Sequence, residues 1–330
     1  PGRGLVRRLS LQSLLANSEA VAGLCAAVVI AVFSFSKWRP SVVISLGGYA
    51  SFACVVAASL WRVPIVVVNV DAVPGVANRL AARVAAASAV SSPEVHLPRS
   101  VVTGVPVREG LVAIDRGPSA REAARTHLGL PPHSQVVAVS GGSLGSFRVN
   151  RAALELARLW ARRTDVAIRH VVGRRDWDEF HEAPGPPGGL VYQQVEYEQD
   201  MVSLYAAADV AVLRAGANTV AELALAGVPA VLVPLPGSPG DHQGANARLL
   251  AAAGAAVIVP DAEVDGARLA TELEALLADP GRLARMGEAA KGLGRPKAAE
   301  EVARLVEERA RPVPVAHATT NRARGDVSGD

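Results

Sequence analysis

Three glycine-rich turns carry the residues best suited to chemistry in this chain. The first, residues 140–145 (SGGSLG), follows the β-branched run QVVAVS and precedes a helical stretch through Asn150. Glycines there let the backbone approach a phosphate, and the helix start offers free N–H groups with a partial positive charge. Ser143 adds a hydroxyl donor. The second turn, Gly47, Gly48 and Tyr49, holds the same position after an earlier run, SVVISL. In the third, residues 214–222 (RAGANTVAE), Gly216 opens the turn and Ala217, Asn218 and Thr219 present amides at a helix start. Glu222, one turn further, either complements the helix dipole or accepts two hydrogen bonds from a ribose diol while the amides hold a diphosphate. Any one of these turns is also what tight strand–helix packing requires. Three in succession point to a phosphorylated ligand. None has the G-x-G-x-x-G spacing of a dinucleotide site, with its acid about 20 residues on.

The elements that must position these turns alternate strand and helix, the pattern of doubly wound α/β domains with ligands at the strand C-termini. Strands are expected at 41–46, 64–69, 101–102, 135–140, 167–172, 190–194, 210–213, 230–233 and 256–259. The clearest helices are 219–226 and 242–253, the latter with Asp241 as N-cap. Residues 109–119, charged and containing Gly117 and Pro118, read as a linker between a domain of residues 1–108 and one of residues 120–310. Residues 311–330 read as a disordered tail.

Half of the 330 residues are apolar, mainly Ala, Val and Leu, and only 4% are aromatic. That palette suits buried parallel strands under Ala-rich helices. The net charge of +3 permits attraction to a phosphate or an anionic membrane without demanding nucleic acid, and no zinc spacing or RNA-binding aromatic pattern occurs. Cys25 and Cys54 stand in apolar surroundings and read as buried free thiols. The apolar stretch 21–35 is shorter than the roughly 20 residues that span a bilayer and reads as a buried helix. Arg3, Arg7 and Arg8 precede Leu9, Leu11, Leu14 and Leu15, a pattern that fits either an anionic lipid surface or a solvated cluster beside a core-facing helix.

Ordered motifs then match a known family: SLGGYAS (45–51), DAVPGVANRLAAR (71–83), TGVPVR (103–108), SGGSLGS, DMVSLYAAADVAVLRAGANTVAEL and DHQGANA (241–247). The chain resembles the MurG family, bacterial transferases that convert lipid I to lipid II in peptidoglycan synthesis, from its start to about Glu308. The resemblance implies a GT-B architecture, two Rossmann-like domains facing a cleft, the second binding the donor and the first the acceptor and membrane. It implies inverting transfer of N-acetylglucosamine from UDP-GlcNAc to an undecaprenyl-diphosphate-linked acceptor, without cofactor or metal, at the cytoplasmic face of the inner membrane. Carried over by position, Glu222 holds the ribose, and the amides of Ala217, Asn218, Thr219, Val220 and Ala221 hold the diphosphate. Ser143 and Arg108 also contact the donor. The backbone near Glu198 reads the uracil, and His242 and Gln243 face the sugar. Gly47, Gly48, Tyr49 and Asn150 are placed on the acceptor side.

The chain departs from the family pattern in four places. The family's first glycine-rich loop, which ends in histidine, is expected upstream of Pro1. Val68, Asn69, Val70 and Asp71 stand where the family has His-Glu-Gln-Asn, which makes Asp71 either the general base, an acceptor contact or a turn aspartate. Leu144 replaces a glutamine, and Val105 an asparagine. These changes leave room for two other readings: transfer to another lipid or aglycone, and a UDP-sugar-binding protein without turnover.

Overall fold

The computed structural model describes residues 11–181 and 188–312, and side chains from residue 21 onward except that of Tyr49. The described residues begin with a long helix, α1 (Leu11–Trp38), then β1 (Val43–Ser45), α2 (Gly48–Leu60), β2 (Ile65–Asn69), α3 (Val76–Val84), β3 (Ala87–Val90) and β4 (Ser100–Val102). These strands form a parallel sheet in the order β1-β2-β3-β4. Next come α4 (Glu109–Val112) and α5 (Pro118–His127), the latter started by Pro118, whose fixed φ suits the first helical position.

The second sheet uses β5 (Gln135–Ser140), α6 (Phe147–Leu159), β6 (Val166–Val171), α7 (Trp177–Phe180), β7 (Val191–Val195), α8 (Met201–Ala207), β8 (Val210–Leu213), α9 (Ala217–Ala226), β9 (Ala230–Leu232), α10 (His242–Ala252) and β10 (Ala256–Ile258). Its order is β10-β9-β8-β5-β6-β7, all parallel. Three helices follow it among the described residues: α11 (Gly266–Leu277), α12 (Pro280–Leu293) and α13 (Ala298–Arg309).

Burial explains the strands. Every residue of β2, β3 and β8 is buried, as parallel strands covered on both faces must be. One face of the second sheet packs Val137, Val139, Ile168 and Val212 against Leu156, Leu269, Leu273 and Leu276. The other packs Ala138, Ala211 and Leu213 against Leu204, Tyr205, Leu223 and Leu250. Each such fully buried aliphatic side chain contributes roughly 1.5–3 kcal/mol.

Several expectations need revision. Strand β3 has no counterpart in the sequence reading. Its residues, ASAV, are too small to signal a strand and are held there by their neighbours. The stretch 21–35 is not a buried helix. It belongs to a 28-residue helix of which Ala31 and Phe35 pack on α2, while Val29, Ile30, Phe33 (75% exposed) and Trp38 face outward. By length and composition its segment Val21–Trp38 suffices to cross a membrane. Cys25 is exposed and Cys54 half-buried, so neither thiol is buried, though both are free. Asp241 precedes α10 in a left-handed conformation (φ 54°) and gives no side-chain cap; its carboxylate pairs with Arg248 at 3.0 Å. The last helix, within the expected span of 120–310, returns to the first sheet, where Leu305 joins Val66, Val68, Ala87 and Ala89. Arg311 continues this return, its N–H donating to the Ser41 carbonyl at 2.9 Å. The rest of the expected tail, from residue 313, and Arg3, Arg7, Arg8 and Leu9 lie outside the described residues.

Candidate active site

Because every strand of the second sheet is parallel, its C-terminal ends share one edge, and the loops leaving them enclose a cleft of about 260 Å³. Its walls include Arg108, Ser143, Glu198, Tyr205, Asn218 and Glu222, brought together from five separate segments.

The loop after β5 is fixed by close backbone contacts. Gly145 adopts φ +92°, and a Cβ there would lie 2.4 Å from the Val172 carbonyl and 2.7 Å from Asp176 Oδ2. No other residue fits without moving one of them. The Gly142 N–H donates to Ser140 Oγ at 3.1 Å, and Ser143 is left facing the cleft. Leu144 is exposed. Arg214, just beyond β8, ties the neighbouring loops together. It donates to the carbonyls of Val233 and Pro234, each at 3.1 Å, and to Ser146 Oγ at 2.6 Å, and pairs with Asp261 at 2.7 Å.

Helix α9 starts after Gly216 with no side chain capping it, so its first-turn amides remain open to a ligand. Asn218 and Thr219 face the cleft and Ala217 adds a first-turn N–H, whereas the Val220 N–H expected to hold a diphosphate already donates to the Gly216 carbonyl at 3.0 Å, and Ala221 follows it within the helix. One turn on, Glu222 Oε2 accepts a hydrogen bond from the Tyr205 hydroxyl at 3.1 Å. Burial pushes the Glu222 carboxyl above the usual carboxylate range, against the opposing pull of Tyr205 and Arg108. The same burial, with Glu222 adjacent, holds the Tyr205 phenol well above its ordinary value. The Glu198 side chain is already engaged: Arg169 Nε donates to it at 2.6 Å, and so does the Asp200 N–H at 3.0 Å. What Glu198 has left to offer the cleft is backbone.

Across the gap the first domain contributes Asp71. Its Oδ1 accepts from Asn246 Nδ2 at 3.1 Å, and its Oδ2 lies 3.7 Å from His242 Nδ1. Asn246, 2% exposed, also donates to the Ala215 carbonyl at 3.1 Å and accepts from the Ala72 N–H at 2.8 Å. One amide therefore joins the Asp71 loop to the turn that opens α9. Gln243 is held by the Leu235 N–H, which donates to its Oε1 at 3.0 Å. Sequence reasoning missed Asn246, Tyr205 and Arg214. Asn246 had a signal, since it stands one helical turn after His242 in DHQGANA.

Gly47 and Gly48 lead into α2 with φ +88° and +78°; of Tyr49, the second residue of that helix, only the backbone is described. Gly47 lies against Asn78, where a Cβ would come 2.8 Å from Oδ1. Val105 is buried. Asn150, expected on the acceptor side, is fully buried beneath the second sheet's first loop. Its Nδ2 donates to the Val172 carbonyl (3.0 Å) and Asp176 Oδ2 (3.2 Å), and its Oδ1 meets His170 Nε2 at 3.0 Å. It supports the loop from behind. Among the described residues no cluster of His, Cys, Asp or Glu is grouped to hold a metal ion.

The glycosyltransferase family 28 C-terminal domain model matches residues 136–302, and the N-terminal domain model matches residues 5–90. The UDP-N-acetylglucosamine--N-acetylmuramyl-(pentapeptide) pyrophosphoryl-undecaprenol N-acetylglucosamine transferase of Alkalilimnicola ehrlichii is 43% identical over 281 residues, 83% of this chain and 75% of the relative. The protein of the same name from Desulforudis audaxviator is 35% identical over 319 residues, 93% of this chain and 83% of the relative. The chain belongs to the MurG family. The crystal structure of Acinetobacter baumannii MurG superposes with a TM-score of 0.71 at 27% identity, covering 93% of this chain and 82% of that one. Two parallel sheets facing a cleft are the GT-B arrangement, and the chain is a glycosyltransferase.

Proposed function

We propose that this chain transfers N-acetylglucosamine from UDP-GlcNAc, with inversion, to an undecaprenyl-diphosphate-linked N-acetylmuramyl pentapeptide. The observation that carries the reading is the open first turn of α9 with Glu222 and Arg108 in one cleft. Helix amides and a guanidinium are the donors that a departing diphosphate needs as charge develops on it. In this reading the free amides of Ala217, Asn218 and Thr219 hold the diphosphate, Arg108 and Ser143 add donors, and Glu222 accepts from both ribose hydroxyls. The backbone at Glu198 meets the uracil. His242 and Gln243 take the sugar, and the acceptor hydroxyl attacks the anomeric carbon from the face opposite UDP. Asp71, across the cleft, is the candidate base; a positioned base contributes about 10²–10⁴-fold. The turn at Gly47, Gly48 and Tyr49 takes the acceptor.

The same reading puts the first domain against the inner leaflet as a peripheral protein. Helix α3 exposes Val76, Leu80 and Val84 between the exposed Arg79 and Arg83, and α1 adds Phe33 and Trp38. Apolar side chains flanked by cations suit an anionic interface, each cation contributing about 1 kcal/mol.

The test is transfer of labelled N-acetylglucosamine from UDP to the lipid-linked muramyl pentapeptide, with products separated by thin-layer chromatography. Labelled lipid is expected. Label on a different polyprenyl acceptor alone would redirect the acceptor assignment, and UDP-GlcNAc binding without any transfer would refute the catalytic reading.

A further inference from the structure

The second sheet has a larger cavity at its opposite edge. About 660 Å³ in volume, it lies beside Gln135 at the start of β5, Asp209 just before β8 and Pro229 just before β9, where the N-terminal ends of the parallel strands emerge. The donor cleft opens at the other ends of the same strands, so the two are separate. Nothing in the transfer reaction uses this second space.

Its walls are cationic. Arg116, Arg121, Arg125 and Lys291 line it, with Asp209 the one carboxylate at its centre. Asp209 is fully engaged: Arg121 and Arg125 both pair with it, Arg125 at 2.8 Å, and its Oδ2 also accepts from the Val136 N–H at 2.7 Å. The remaining acids, Glu122 and Glu288, sit exposed at the rim, and Glu288 pairs with Lys291 at 3.0 Å. Arg116 has no carboxylate among the ion pairs of the described residues. It donates to the carbonyls of Ala208, Ala226 and Gly227, while its buried Nε has no hydrogen-bond partner.

These facts leave a guanidinium surplus in a space larger than water filling needs. Burial and the repulsion of Arg121 and Arg125 lower the Arg116 pKa to about 10 against the pull of Asp209, so its charge is held in an unfavourable field. An anion would relieve that field. The guanidinium N–H groups not spent on Asp209 or on backbone carbonyls, with the Lys291 ammonium as a point charge, match the oxygens of a phosphate. We propose that this cavity is a binding site for a multiply charged phosphate-class anion, held by Arg116, Arg121 and Lys291. Arg116 rests on the last carbonyls of α9, whose first turn lines the donor cleft, so an occupant here contacts the far end of that helix.

The test is calorimetric titration of the full chain with inorganic diphosphate, with and without saturating UDP, at low and moderate salt. A single site that persists when UDP is present, and weakens as salt rises, is expected. Lys291→Glu and Arg121→Gln are each expected to weaken it at least tenfold. Melting curves of both variants check that the fold is intact, and Lys291, exposed on α12, is the safer of the two. A parallel arm with inorganic phosphate and with UDP in twofold excess separates a free ion from a nucleotide diphosphate as the source; tighter binding of either fixes the occupant within the proposed class. The proposal is overturned if diphosphate binds only by displacing UDP, or if Lys291→Glu binds as tightly as the parent chain. No binding at low salt overturns it equally.

Discussion

Glu222→Gln separates the shape of the donor cleft from its charge. The amide keeps the volume of the carboxylate and can still accept from the Tyr205 hydroxyl, which now sits 3.1 Å from Oε2, so the fold should be kept and, with a buried charge removed, the melting temperature at neutral pH should not fall. What changes is the acceptor for the ribose diol. A hydrogen bond to a charged group contributes about 1.5–3 kcal/mol and a neutral one about 0.5–1.5 kcal/mol. Two such bonds, one lost to the new NH₂ and one weakened, amount to about 2 kcal/mol. That is about thirtyfold in affinity. Calorimetry with uridine, rather than UDP, keeps phosphate titration out of the measurement, and 2′-deoxyuridine supplies the control. The parent chain should prefer uridine strongly, and the variant should scarcely distinguish the two. Equal binding of uridine by both proteins would refute the assignment of Glu222 to the ribose.

Further outcomes follow from the same geometry. Because burial raises the Glu222 pKa above the ordinary carboxylate value of 4.5, uridine affinity should fall as pH drops through that raised value, and Glu222→Gln should flatten the curve. In the apoprotein the folded state then holds this proton more tightly than the unfolded chain, so Glu222 removes stability as pH rises from about 4.5 through its folded pKa, checked by denaturant titration against pH. His170 acts in the opposite sense: burial lowers its pKa from 6.5 to about 3, so the unfolded chain binds the extra proton first and its contribution is lost as pH falls from about 6.5 towards 3. His170→Asn should blunt that acid sensitivity. Gly145→Ala should displace the Ser143 loop and cost about 1–3 kcal/mol of stability, read by chemical denaturation, with donor KM raised. Asn246→Ala, which unties Asp71 from the α9 turn, should lower kcat more than it weakens UDP binding; unchanged kcat would make the tie structural only.

Much of the second domain can be read from the sequence because its strands are β-branched runs that end in glycine turns, and those turns must lie at strand C-termini. The cleft residues Ser143, Asn218, Thr219 and Glu222 follow from that placement alone. The first domain is harder to read. Strand β3 is built of Ala, Ser, Ala and Val, whose small size says nothing about strand or helix until neighbours bury them. Helix α1 is apolar enough to look like core, yet only one stripe, including Ala31 and Phe35, meets α2. Composition does not reveal which side of such a helix has a neighbour. Asn150 misleads for another reason: an asparagine near a ligand loop can support it from behind as readily as face the ligand. Residues such as Asn246 and Arg214 act through distant carbonyls, and pairings across 31 or 19 positions leave no local trace.

Where the nucleotide sits decides whether the start of α9 and Glu222 form the donor site, and a crystal structure of the chain soaked with UDP measures this directly. The expected density places diphosphate oxygens within hydrogen-bond reach, about 2.7–3.2 Å, of the amides at Ala217, Asn218 and Thr219, with both ribose hydroxyls on Glu222. A nucleotide bound at the Gly47 turn with the start of α9 vacant would contradict it.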